Sequence, residues 1–165
     1  DKHFGTMRYI LLAISAFLCI SLISAQTYNF DRHFGNRGDG KGQFNLPHDV
    51  TYFSVFDSTT NVTTNRIAVA DTLNNRVQVL DLYGAYIREF GTPGNGTGSL
   101  AFPQGIAALY DNVTYTIFVS DTQNHRIQIA YARENLTAHV GSLGASLGQF
   151  ISPKGVAVSK KIWYF

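Results

Sequence analysis

Short stretches of this chain alternate apolar and polar side chains with a period of two, and no stretch has the convincing 3.6-residue spacing of an amphipathic helix. Asp49–Phe53, Ile67–Ala70, Arg76–Leu80 and Tyr86–Phe90 are β-branched and aromatic runs divided by turn residues, and they predict four strands. Gly105–Leu109, Thr116–Ser120, Arg126–Ala130 and a weaker Thr137–Val140 predict four more. The expected class is all-β, built of four-stranded antiparallel units.

The pattern repeats. Phe34 to Gly42, followed by Gln43-Phe44-Asn45-Leu46-Pro47, returns as Phe90 to Gly98 with Ser99-Leu100-Ala101-Phe102-Pro103. It returns again as Val140 to Gly148 with Gln149-Phe150-Ile151-Ser152-Pro153. A period near 50 residues belongs to architectures in which one unit cannot bury its own apolar face and stacks on its neighbours. Pro47 and Pro103 lie 56 positions apart, whereas Pro103 and Pro153, and likewise Asp71 and Asp121, lie 50 apart. The extra six residues therefore fall between Pro47 and Asp71. There, the Thr/Asn-rich run Phe56–Asn65 is expected to be a surface hairpin loop.

Composition narrows the class. With 15% charged and 13% aromatic residues the chain is globular in character. Met7-Arg8, an apolar run from Tyr9 to Ile23 and then Ser24-Ala25-Gln26 read as a secretory signal peptide over 7–25 with a helical h-region, cleaved after Ala25. Residues 1–6 precede that start and read as non-native upstream sequence. The apolar stop at Phe165 falls inside the third repeat, as in a fragment. Secretion is also suggested by four sequons, at Asn61, Asn95, Asn112 and Asn135, each in an expected loop or turn. The only cysteine, Cys19, lies inside the leader. Without residues 1–25 the chain keeps 11 basic and 10 acidic side chains, a balance that offers no footprint for nucleic acid or anionic membrane. No stable membrane anchor is expected after cleavage.

The repeated residues resemble a known family. Phe34-Gly35, then Gln43–Pro47, then Ile67-Ala68-Val69-Ala70-Asp71-Thr72-Leu73-Asn74-Asn75-Arg76-Val77-Gln78-Val79 are similar to NHL repeats, and so are Phe90–Ala107 and Val119–Ile129. The resemblance covers residues 30 to 158 and implies a β-propeller of four-stranded blades, usually six. This chain would supply about two and a half, with repeats at 34–90, 91–140 and a truncated 141–165 in a domain spanning 26–165. Asp49 departs from the family's glycine at that position, which Gly105 and Gly155 keep. Tyr28–Phe34 is expected to be an outer fourth strand that closes the ring.

Candidate chemistry is sparse. Asp71, Asn74 and Arg76, echoed by Asp121, Asn124 and Arg126, read as a structural signature, because Asp and Asn fasten tight turns and a catalytic set is rarely duplicated in each unit. Gly91–Gly98 lacks the Lys-Ser/Thr ending of a phosphate cradle and reads as a connection with positive-φ turns. His48, after Pro47, matches the place where the related peptidylglycine amidating lyases carry metal-ligand histidines, although the counterparts here are Gln104 and Lys154 and one imidazole does not make a zinc site. His33, His125 and His139 read as surface residues. The expected function is a non-catalytic secreted binding or scaffold module for an unknown protein or extracellular ligand, with no cofactor. The alternative is an extracellular metal-dependent lyase or hydrolase using Zn or Ca. RNA binding, known for intracellular relatives, is opposed by the leader, sequons and neutral charge.

Overall fold

The computed structural model describes residues 32–110, 114–131 and 136–159. The expected leader with Cys19, the segment 1–6, and the sequons at Asn112 and Asn135 lie outside the described residues. Arg32 and His33 belong to a separate unit, Asp1–His33, and the rest of this account concerns Phe34–Phe165.

This part is all-β. Two four-stranded antiparallel meanders carry it: β3 (Pro47–Asp57), β4 (Val62–Asp71), β5 (Arg76–Asp81) and β6 (Tyr86–Phe90), then β9 (Pro103–Tyr110), β10 (Tyr115–Asp121), β11 (Arg126–Tyr131) and β12 (Leu136–Val140). Ahead of each sheet stands a two-residue parallel bridge, β1 (Asn36–Arg37) with β2 (Gln43–Phe44), and β7 (Thr92–Pro93) with β8 (Ser99–Leu100). A single parallel pair, Leu143 with Phe150, repeats the motif at the start of the third copy. Even the irregularities recur. His48 is the extra residue where Pro47 faces Asp71 and Asp49 faces Ala70, and a second bulge leaves Ile87 the extra residue in β6 as Thr137 is in β12.

Residues directly opposite in an antiparallel pair share a face, so register assigns every side chain to one side of its sheet. One face of the first sheet carries Phe53, Ala68, Ala70, Val77, Val79 and Phe90. It packs against Ile106, Tyr115, Ile117, Val119, Ala130 and Leu136 of the second sheet, with Leu100 between them. Phe53 meets Tyr115 with ring centroids 4.7 Å apart. Of these second-sheet residues Ile106, Ile117, Val119 and Ala130 are the repeat counterparts of Val50, Ile67, Val69 and Leu80, which occupy the other face of the first sheet. Each sheet thus offers one kind of face forward and the other backward.

Two expectations need correction. Phe56–Asn65 is not a loop: Phe56 pairs with Thr63 and Asp57 with Val62, and only Ser58–Asn61 turn. Val62-Thr63-Thr64 are β-branched and suit an exposed ladder, so the six extra residues lengthen the hairpin. Thr59 N–H donates to Asp57 Oδ1 at 2.9 Å, which holds that carboxyl below its usual range, and Asn61 ends the turn at φ 55°. Secondly, Arg32–Gly35 carry no strand, so the described part of the expected Tyr28–Phe34 strand is irregular in backbone, and residues 28–31 lie outside the described residues. A strand needs a ladder partner, and none of the described strands takes that place.

Candidate functional site

The recurring polar residues assemble at the turn between second and third strands. Asp71 ends β4 fully buried. Its Oδ1 accepts Asn45 N–H at 2.7 Å, and its Oδ2 accepts Asn74 Nδ2 and Arg76 Nε, both at 2.8 Å. Arg76 also donates through Nη2 to the carbonyls of Gly40 and Gln43, and through Nη1 to Glu89 on β6. Asn74 reaches Gly38 O at 2.8 Å. The cluster therefore fastens the glycine-rich segment 38–45 to the hairpin, and each buried donor or acceptor finds a partner, as burial demands.

The second copy repeats this construction with fewer links. Asp121 holds Ala101 N–H, Asn124 and Arg126, and Arg126 reaches Gly96 O and Ser99 O. Opposite Gln128, however, stands His139 in place of Glu89. Gln78 and Gln128 belong to the clusters although the sequence reading left them out. Both are fully buried, donating to Gln43 O and Ser99 O. Their shared offset of two from each arginine was the available signal. Gln78 Oε1 accepts Gly42 N–H, whereas Gln128 Oε1 has no protein partner among the described residues.

Adjacent units are joined by a second recurring set. The 3₁₀ turn Thr72–Asn74 presents Thr72 Oγ1 to Pro103 O at 2.6 Å, and Asn75, at φ 53°, accepts Phe102 N–H through Oδ1 at 2.9 Å. Thr122 and His125 do the same to Pro153 O and Ser152 N–H. Asp49 adds a link at the first junction only: Oδ1 accepts Val50 N–H at 2.8 Å and Oδ2 accepts Ile106 N–H at 2.9 Å, tying together the starts of two first strands. Its counterpart Gly105 has no room for any side chain, because a Cβ there would strike Lys154 O. The departure from glycine at position 49 thus has a bonding role.

Among the described residues, a groove stays open on the other face of the first sheet. A 330 Å³ cavity is lined by Phe34, Phe44, Pro47, His48, Asp49, Val50, Ile67 and Val69. It shares Phe34, Phe44 and Pro47 with a 630 Å³ cavity that runs past Leu46 to Leu73 and Arg37. Val50 is 57% exposed while its counterpart Ile106 is 4% exposed. His48 lies on this groove, exposed, and its neighbour Asp49 spends its carboxylate on backbone amides. Among the described residues no three His, Cys, Asp or Glu side chains converge as a metal site.

Of the sequons, Asn61 sits exposed in the β3–β4 turn and Asn95 exposed in the bend between β7 and β8. The described sequence-predicted residues fall into three kinds of place: two buried clusters, one groove residue and two exposed turns. Comparison with protein-family models and with curated proteins found no match to this chain.

Proposed function

We propose that this chain is part of a secreted β-propeller of NHL type that acts as a non-catalytic binding or scaffold module. One observation carries the reading: the polar residues that recur, Asp71, Asn74, Arg76 and their second copies, are consumed by internal bonds, so they have no free chemistry to offer a substrate. The accessible surface is instead the apolar groove bounded by Phe34, Leu46 and Val50, which suits an extracellular protein ligand. Asn61 and Asn95 are proposed glycan carriers on turns away from the ladders.

A photo-cross-linking residue at Leu46, incubated with extracellular fluid from the source culture, is expected to give a discrete protein adduct. The same residue at Leu147, exposed in the third copy, is the control, and an identical adduct pattern at both would count against a groove-borne ligand. A second reading, the metal-dependent lyase, is favoured by one observation, the exposed imidazole of His48 on the groove. With zinc and a peptide ending in α-hydroxyglycine, no turnover above buffer is expected. Turnover abolished by His48→Ala would replace the binding reading with the enzymatic one.

A further inference from the structure

Two junctions in this protein follow one plan and differ in one acceptor. Where the first sheet meets segment 91–103, Asn75 Oδ1 accepts the Phe102 N–H and Thr72 Oγ1 donates to Pro103 O. Where the second sheet meets segment 141–153, His125 Nδ1 accepts the Ser152 N–H at 3.0 Å and Thr122 Oγ1 donates to Pro153 O at 2.8 Å. The equivalence extends to the backbone: Asn75 and His125 have φ of 53° and 56°, and Phe102 and Ser152 have φ of 52° and 47°. An amide oxygen remains an acceptor at any ordinary pH. An imidazole nitrogen accepts only while it is unprotonated, and both nitrogens of imidazolium are donors.

We propose that His125 is an acid-sensitive latch on segment 141–153. Protonation at Nδ1 converts the acceptor into a donor, sets it against the Ser152 N–H, and releases that segment from the second sheet. The Asn75 junction stays closed.

The surroundings sharpen the contrast. The first junction has a third link, Asp49 to Ile106 N–H, which the side-chain-free Gly105 cannot supply at the second. The second junction therefore depends more heavily on its two side-chain bonds. Segments 91–103 and 141–153 contain no charged residue. On the facing strand start the charged group is Lys154, whose sign matches imidazolium and cannot stabilise it. On His125's own side stand Asp121 and Arg126, bonded to each other at 2.8 Å, with Asp121 further committed to Ala101 N–H and Asn124. His139, in β12 opposite Gln128, is the other histidine on this sheet, whose strands also carry Tyr110, Tyr115 and Tyr131. Histidine is the side chain that ordinarily changes charge between about pH 5 and 8, which sets the range over which the junction is to be probed.

Amide hydrogen exchange tests the latch, with protection factors corrected for the intrinsic pH dependence of exchange. Between about pH 7.5 and 5.5 the Ser152 amide is expected to lose protection roughly two- to tenfold, the equivalent of one net hydrogen bond, while Phe102 keeps its protection. His125→Asn should abolish the loss at Ser152, because asparagine already performs this task at position 75. Asn75→His should transfer the pH dependence to Phe102. Parallel behaviour of the two amides in the unmodified protein would overturn the proposal, as would a pH-dependent Ser152 in the His125→Asn variant.

Discussion

At the scale of the residue, the decisive fact is how differently two carboxylates bonded to one guanidinium are placed. Asp71 is wholly buried and serves four donors, whereas the Glu89 side chain is 38% exposed and serves Arg76 alone among the bonds described. Removing one partner from a buried pair strands the other charge and costs about 3–5 kcal/mol, while an exposed pair contributes about 0–1 kcal/mol. Asp71→Ala should therefore lower the urea midpoint by an amount corresponding to about 3–5 kcal/mol, and Glu89→Gln should change stability by about 1 kcal/mol or less. Equal effects in equilibrium unfolding would mean that Glu89 is not screened by solvent as its exposure implies. Each buried carboxylate also has a partner set split between its own hairpin and the glycine segment before it. The glycines therefore need no bulk of their own to be held in place.

At the scale of the element, strand positions were readable because β-branched and aromatic side chains recur at period two with turn residues between them. The Asp-Asn-Arg clusters were readable for a related reason: they recur at the same offset from each strand end. The long β3–β4 hairpin was not readable. Thr63, Thr64 and Asn65 are polar and suggest a loop, yet they are exposed in a ladder extending past its neighbour, where Val55 alone of the Val55–Thr64 rung packs against the core and the facing strand needs no apolar residue. The groove was equally hidden, since Val50 and Ile106 look alike in sequence and differ only in what lies over them. Because the outermost rung and its turn contribute nothing to the shared core, excising Asp57–Val62 should shift unfolding free energy by about 1 kcal/mol or less. A loss of several kcal/mol in chemical denaturation would show that the extension supports the core after all.

At the scale of the whole molecule, an exposed apolar face adjoins an eleven-residue edge strand, β3, whose outer backbone groups have no neighbouring strand among the described residues. Such an edge beside an apolar face invites pairing with another chain. Sedimentation velocity should show association that grows with protein concentration, and the double variant Val50→Lys, Tyr52→Lys should suppress it. Since both side chains are 57% exposed, that variant should unfold at nearly the same denaturant concentration as the parent. A large drop in its midpoint would mean that these residues are part of the core.

The forward-on-backward packing of the two sheets has a consequence for counting. When the second sheet covers the first, one backward face stays bare on the first among the described residues and one forward face is passed on to whatever follows. Adding a unit relocates the bare ends without reducing their number, which stays at two for any straight array. Lengthening therefore adds contacts but never satisfies the termini. Only curvature that brings the last unit round to the first, or a terminal partner of different make, takes the number to zero.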